Sequence, residues 1–241
     1  MNELTKRQQD LLAAIIEQHA EVAAPVGSVT LAKAFGVSSA TIRSEMAMLE
    51  RLGFIKQPHT SAGRVPTDRG YRYYVNQLRA SEDDTVETIG RKLTRNESVI
   101  DRRISHAGEQ EQAVKSAVES LAEVTRNVGF AMMGNRQYIS GLSRLFNQPE
   151  FVESESVQQV AYLLDNLDNW LRETKPSEAL KVYIGSENPV GASSGCSLVI
   201  SRFASPFSDH SYVGILGPTR QNYREVMSVV KHAGKLLERT L

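Results

Sequence analysis

Arg43 and Arg64 stand out in this 241-residue sequence, the first set among Ser39, Thr41 and Ser44, the second preceded by His59, Thr60 and Ser61. A guanidinium offers donors to phosphate oxygens and to base edges. Short hydroxylated side chains let a helix lie deep in a groove and donate to the same groups. Non-covalent recognition of double-stranded DNA is the chemistry such a set can perform. Signals for covalent or metal chemistry are poor by comparison. Gly191-Ala192-Ser193-Ser194-Gly195 has the spacing of a nucleophile elbow, but Pro189 precedes it and a strand-like run follows, where an elbow needs strand, turn and then helix. His19, His59, His106, His210 and His232 have no carboxylate or cysteine at metal-ligand spacing, so neither a metal site nor a cofactor is expected. Gly217-Pro218-Thr219 leads into a helix whose first amides, with Arg220, could hold an anion, and a plain cap by Thr219 accounts for the same residues. The single cysteine, Cys196, permits no internal disulfide and reads as a small buried or semi-buried thiol.

The elements that must carry the arginines can be read from apolar spacing. Ser38 is an N-cap, Ile42, Met46, Leu49 and Leu52 recur at steps of four and three, and Gly53 supplies a stop. One face of that helix is core, which leaves Ser39, Ala40, Thr41, Arg43 and Ser44 on the other. Phe54 to Gln57 and the run from Val65 read as two short strands around the turn-rich loop Pro58 to Arg64, a hairpin with a wing. Upstream, Thr5 and Gln8 form a capping box for a helix with Leu11, Leu12, Ile15 and Ile16 inward, and Ser28 opens a short helix containing Leu31 and Phe35. Three helices with a tight connection at Phe35-Gly36-Val37, followed by a hairpin, make a winged helix-turn-helix. Downstream, the aromatic and basic helix Thr67 to Arg79 is expected to pack Tyr71, Tyr74, Val75 and Leu78 on this domain.

Charge supports the assignment once it is divided along the chain. The total is formally zero, with 28 Lys and Arg against 28 Asp and Glu. Residues 1–79 nevertheless hold ten cations and seven anions, and residues 39–79 hold seven and three. The helix and wing are therefore locally positive where phosphates would lie, while the modest excess implies weak binding by one module and a dimer reading two half-sites.

At this point the residues resemble a known family. The run PVGSVTLAKAFGVSSATIRSEMAMLERLGFIKQPHTSAGRVPTDRGYRYYV, from Pro25 to Val75, resembles the DNA-binding region of the HrcA-type heat-inducible transcription repressors. SGLSRLFNQPEF from Ser140, YIGSEN from Tyr183 and GILGPTRQNYREV from Gly214 are similar to that family's C-terminal regulatory region. The resemblance implies a homodimeric repressor of chaperone genes in bacteria, bound to an inverted-repeat operator and responsive to chaperonin availability. The alternative from another class is a winged helix that binds a protein and has no specific DNA target.

The expected fold class is α+β, in three parts: a winged helix-turn-helix over residues 1–79, a helical connector over 80–127, and a reduced GAF-like sheet domain over 128–241. An acidic junction, Ala80-Ser81-Glu82-Asp83-Asp84, opens the second part. From Val86 an apolar stripe runs through Ile89, Leu93, Ile100, Ile104, Ala107, Val114, Val118 and Leu121, with a bend or turn near Gly108. Such a stripe suits a dimer-forming connector or a layer packed on the C-terminal domain; it lacks a clean heptad. Strands are expected at Asn127 to Met133, Arg136 to Ile139, Ala179 to Ile184, Ser197 to Phe203 and Ser211 to Leu216, and helices at Ser154 to Glu173 and Thr219 to Leu241, giving a sheet covered on one side. Family members typically carry an inserted helical dimerization domain between the regions like Leu121 to Asn127 and Ser140 to Phe151, and very little separates those regions here. The absence of an 18-residue apolar run and the polar start MNELTKRQQD predict a cytoplasmic protein with no membrane partner.

Overall fold

The computed structural model describes residues 4–59, 62–83, 94–152, 154–188, 190, 192 and 195–241. The chain divides into two compact units, Met1–Glu87 with Arg220–Asn222 and Thr88–Thr219 with Tyr223–Leu241.

The first unit contains α1 (Lys6–Val22), α2 (Ser28–Phe35), α3 (Ser39–Arg51), β1 (Ile55–Lys56), β2 (Val65–Pro66) and α4 (Asp68–Asp83). Thr5 and Gln8 form the expected reciprocal box at α1, and the Ser38 hydroxyl accepts from the Thr41 amide at α3. The helices close on Leu11, Leu12, Ile15, Ile16, Leu31, Ile42, Met46 and Leu49, with Tyr71, Tyr74, Val75 and Leu78 of α4 buried in the same unit. Burial of such side chains contributes about 1.5–3 kcal/mol each relative to exposure. The Thr67 hydroxyl donates to the Gly53 carbonyl at 2.7 Å and accepts from the Gly70 amide, so one side chain fastens the start of α4 to the end of the α3 turn. Helix α4 runs on through Ala80 to Asp83, so the acidic stretch begins as helix rather than as a junction. Val86, Ile89 and Leu93 lie outside the described residues.

The second unit contains α5 (Arg95–Ser105), α6 (Gln110–Thr125), β3 (Val128–Met133), β4 (Arg136–Ser140), α7 (Leu142–Phe146), α8 (Ser154–Thr174), β5 (Leu180–Ile184), β6 (Cys196–Ser205), β7 (Ser208–Pro218) and α9 (Tyr223–Thr240). Its sheet has the order β4-β3-β7-β6-β5, antiparallel at every pairing, with Val128 opposite Leu216 and Val182 opposite Val199. This antiparallel sheet between helices has the character of a GAF-like domain. Where the sequence suggested cover on one side, both faces are covered. Val128, Phe130, Met132, Leu198 and Ile200 pack with α8 residues Val160, Leu163, Leu164, Leu167 and Leu171. The alternate residues face the other layer. A side chain at Gly129 would meet the Val118 carbonyl of α6 at 2.3 Å, and one at Gly234 of α9 would meet the Ser201 hydroxyl at 2.2 Å. Every residue of β3 is buried, which is how a strand between two helical layers reads.

Of the two arrangements expected for the apolar stripe, the described part of it takes the layer packed on the C-terminal domain. Ile100 and Ile104 of α5 and Val114, Val118 and Leu121 of α6 are buried within the second unit, where α5 and α6 pack on each other and on α9. Their apolar stripe is consumed there, and the turn between them falls at Gly108, whose φ is +72°. Thr219 does not cap α9, which starts at Tyr223; its hydroxyl donates to the Gly195 carbonyl at 2.9 Å. Cys196 is fully buried. Most of the Gly191 to Gly195 loop lies outside the described residues.

Candidate nucleic-acid interface

Helix α3 turns Ile42, Met46 and Leu49 inward, which by the 100° advance per residue leaves Ala40, Ser44, Ala47 and Arg51 along its outward centre. Those four are exposed, as is Arg43 on the flank beside them. Ser39 and Thr41 are half-buried at the N-terminal turn, and the Thr41 hydroxyl lies 2.9 Å from that of Ser38. Arg43 is oriented from outside its own helix. Its Nε donates to the Ser28 hydroxyl of α2 at 3.3 Å, which leaves the two terminal nitrogens directed by a fixed root. The outward stripe is thus small residues ending in a cation, a shape that admits close approach of a duplex. Ala47 and Arg51 went unnamed in the sequence reading, although the i+3 and i+4 steps from Ser44 and Ala47 lead to them.

The wing is built against this helix by close contacts. Val26 and Arg64 exchange both main-chain hydrogen bonds, at 2.8 and 2.9 Å, adding a third segment beside β2. Gly63 makes that approach possible, since a Cβ there would lie 2.4 Å from the Val26 carbonyl oxygen. Beyond β1, Gln57 donates from Nε2 to the Ala62 carbonyl and the Ala62 amide donates to the His59 carbonyl, so the two limbs are tied near the tip. Pro58 and His59 are exposed; Thr60 and Ser61 lie outside the described residues. Lys56 is a further exposed cation of β1 that the sequence reading passed over, hidden there by its role as a strand residue.

Arg64 differs from the expectation of a cation open to phosphate. Its Nε and Nη2 lie 3.0 and 2.9 Å from Oε2 of Glu50, and its side chain keeps 22% of its exposure. Oε1 of the same Glu50 accepts from the Gln57 amide at 3.0 Å. One carboxylate near the end of α3 therefore holds both limbs of the hairpin. Glu50 is seven residues from Arg43, two turns or about 10.5 Å along the same flank of α3, so the oriented arginine and the wing's base lie on one side of the unit.

Among the described residues there is no cluster of three His, Cys, Asp or Glu that could hold a metal ion, and no helix is long and apolar enough to cross a membrane.

Comparison with known proteins identifies both parts of the chain. Residues 3–80 match the family model described as the winged helix-turn-helix transcription repressor, HrcA DNA-binding, and residues 83–227 match that of the HrcA protein C-terminal domain. Among curated relatives, the heat-inducible transcription repressor HrcA of Brevibacillus brevis is 28% identical over 334 aligned positions, covering 99% of this chain and 98% of the relative. That of Moorella thermoacetica is 28% identical over 338 positions with the same coverage. Both alignments are far longer than the 241-residue chain, so the relatives hold segments with no counterpart here. In the interval expected to lack an insertion, β3 and β4 are joined by the two-residue turn Gly134-Asn135. A solved structure described as a hypothetical protein superposes with a TM-score of 0.80 at 19% identity, covering 99% of this chain and 98% of its own, and so shares the fold.

Proposed function

The chain belongs to the HrcA family, a family of transcription repressors rather than enzymes, and from that premise we propose that it represses chaperone genes by binding, as a homodimer, an inverted-repeat operator in cytoplasmic DNA. The observation that carries the reading is the outward face of α3: small residues, hydroxyls, and one arginine rooted on Ser28 of the neighbouring helix. In this reading Ser39, Thr41, Arg43 and Ser44, continued by Ala47 and Arg51, occupy the major groove, and His59, Thr60 and Ser61 of the wing contact the backbone or the minor groove beside it. Arg64 serves the same surface from the wing's base, through Glu50. A single module with so small a positive excess binds weakly at cellular salt, and two modules fixed one helical repeat apart supply the missing affinity. Chaperonin-assisted folding of the second unit sets the amount of active repressor.

Selection of duplexes from a random pool by the purified chain tests the reading. The expected result is an inverted repeat bound with strong salt dependence. Recovery of no common sequence, with binding indifferent to salt, would transfer the surface to a protein partner.

A further inference from the structure

We propose that Glu50 is a specificity-determining positioning residue, which fixes the wing on α3 and withholds the Arg64 guanidinium from sequence-independent phosphate contact. The inference rests on the reading of α3 and the wing as a duplex-binding surface. An anion on such a surface opposes binding by charge alone, so a position there calls for a compensating role. Glu50 has two. Its Oε1 takes the Gln57 amide and its Oε2 takes both Nε and Nη2 of Arg64, closing the hairpin's outgoing and returning limbs onto one helix. The pair is only partly exposed, at 22% for Arg64 and 33% for Glu50, which favours the contact over two separately solvated charges. Phosphate contacts strengthen binding to every sequence alike and discriminate nothing. An arginine held by an internal carboxylate adds nothing to that background, while the wing position it enforces adds to the fit on the correct site.

The consequence has a sign that distinguishes it from a plain structural role. Glu50→Gln keeps an acceptor for the Gln57 amide but loosens Arg64. One new phosphate contact steepens the salt dependence by about 0.9 in the logarithmic slope, equivalent to about a five-fold gain at 0.15 M salt. The experiment measures affinity against salt for the full-length chain on its selected duplex and on a scrambled duplex of equal length, for wild type, Glu50→Gln, Arg64→Gln and the double variant, with melting curves for each.

The expected results are tighter scrambled-duplex binding and a steeper slope for Glu50→Gln, no gain on the selected duplex, and therefore a selected-to-scrambled ratio reduced by about five-fold or more. Arg64→Gln should leave the slope at the wild-type value, and the double variant should return to it. A flatter slope for Arg64→Gln would place Arg64 on phosphate in the wild type and overturn the inference, and does so even if Glu50→Gln fails to fold. Equal losses on both duplexes in Glu50→Gln would also overturn it. Wild-type chain that binds no duplex would remove the underlying reading instead.

Discussion

At the scale of single residues, Arg43 and Arg64 are each held by a side chain of another element. Arg43 is hydrogen-bonded to Ser28, and truncating it removes the proposed groove contact without touching the core of α3. Arg43→Ala is expected to weaken binding to the selected duplex by about 1–3 kcal/mol and to relax discrimination among operator variants, measured by gel shift on single-base substitutions. Glycines carry the opposite kind of constraint. A Cβ at Gly70 would lie 2.1 Å from the Phe54 carbonyl oxygen, a backbone atom that has little room to move while Phe54 is buried under the Arg69 guanidinium and the edge of Tyr73. Gly70→Ala should cost about 1–3 kcal/mol of stability, read by chemical denaturation. The types and spacing of Ser39 to Ser44 were legible in the sequence because caps and periodicity are local. The engagement of Arg64 was not, because its partner lies 14 residues away and becomes its neighbour only when the wing folds back.

At the scale of elements, helix and strand positions followed from periodicity, whereas their cover did not. The stripe from Ile100 to Leu121 announces burial but not the surface that buries it, and α9, which receives α5, comes more than a hundred residues later. The joint between those helices is polar as well as apolar. Glu97 is 2% exposed, accepts from the Thr94 amide at 2.8 Å in a capping box, and accepts from the Ser228 hydroxyl of α9 at 2.6 Å. Glu97→Ala leaves both donors without this acceptor and should destabilise the second unit by about 1–3 kcal/mol, measured by denaturant unfolding. The exposed cluster on α6 behaves differently. A hydrogen bond from Lys115, then the charges of Lys115 and Arg136, hold the Glu111 carboxyl below its ordinary range. A lowered folded value stabilises at neutral pH, and that contribution is lost as pH falls through it. Glu111→Gln should therefore melt slightly below wild type at neutral pH, by an amount of order 1 °C because water screens the cluster, and converge with it in acid.

At the scale of the whole molecule, the two units make opposite demands on folding. The first is mostly helical and short: its ties from Tyr71 and Tyr74 of α4 to His19 and Glu17 of α1 span 52 and 57 residues. The second must bring β3 to β7 across a long stretch of its sequence, Val128 against Leu216, before the fully buried strand β3 is flanked on both sides. Distant antiparallel pairings of this kind fold slowly and leave apolar edges open meanwhile, which is the state a chaperonin captures. A repressor whose second unit is required for a dimer would then lose operator affinity whenever that unit is incompletely folded, even with its first unit intact. Two measurements join these steps. Sedimentation of the native chain should give twice its 26.7 kDa, and refolding from denaturant in the presence of chaperonin should raise the fraction that both sediments as a dimer and binds the selected duplex. Full recovery of that fraction without chaperonin would break the link between folding and repression, and a monomeric mass with undiminished operator binding would break the requirement for two copies.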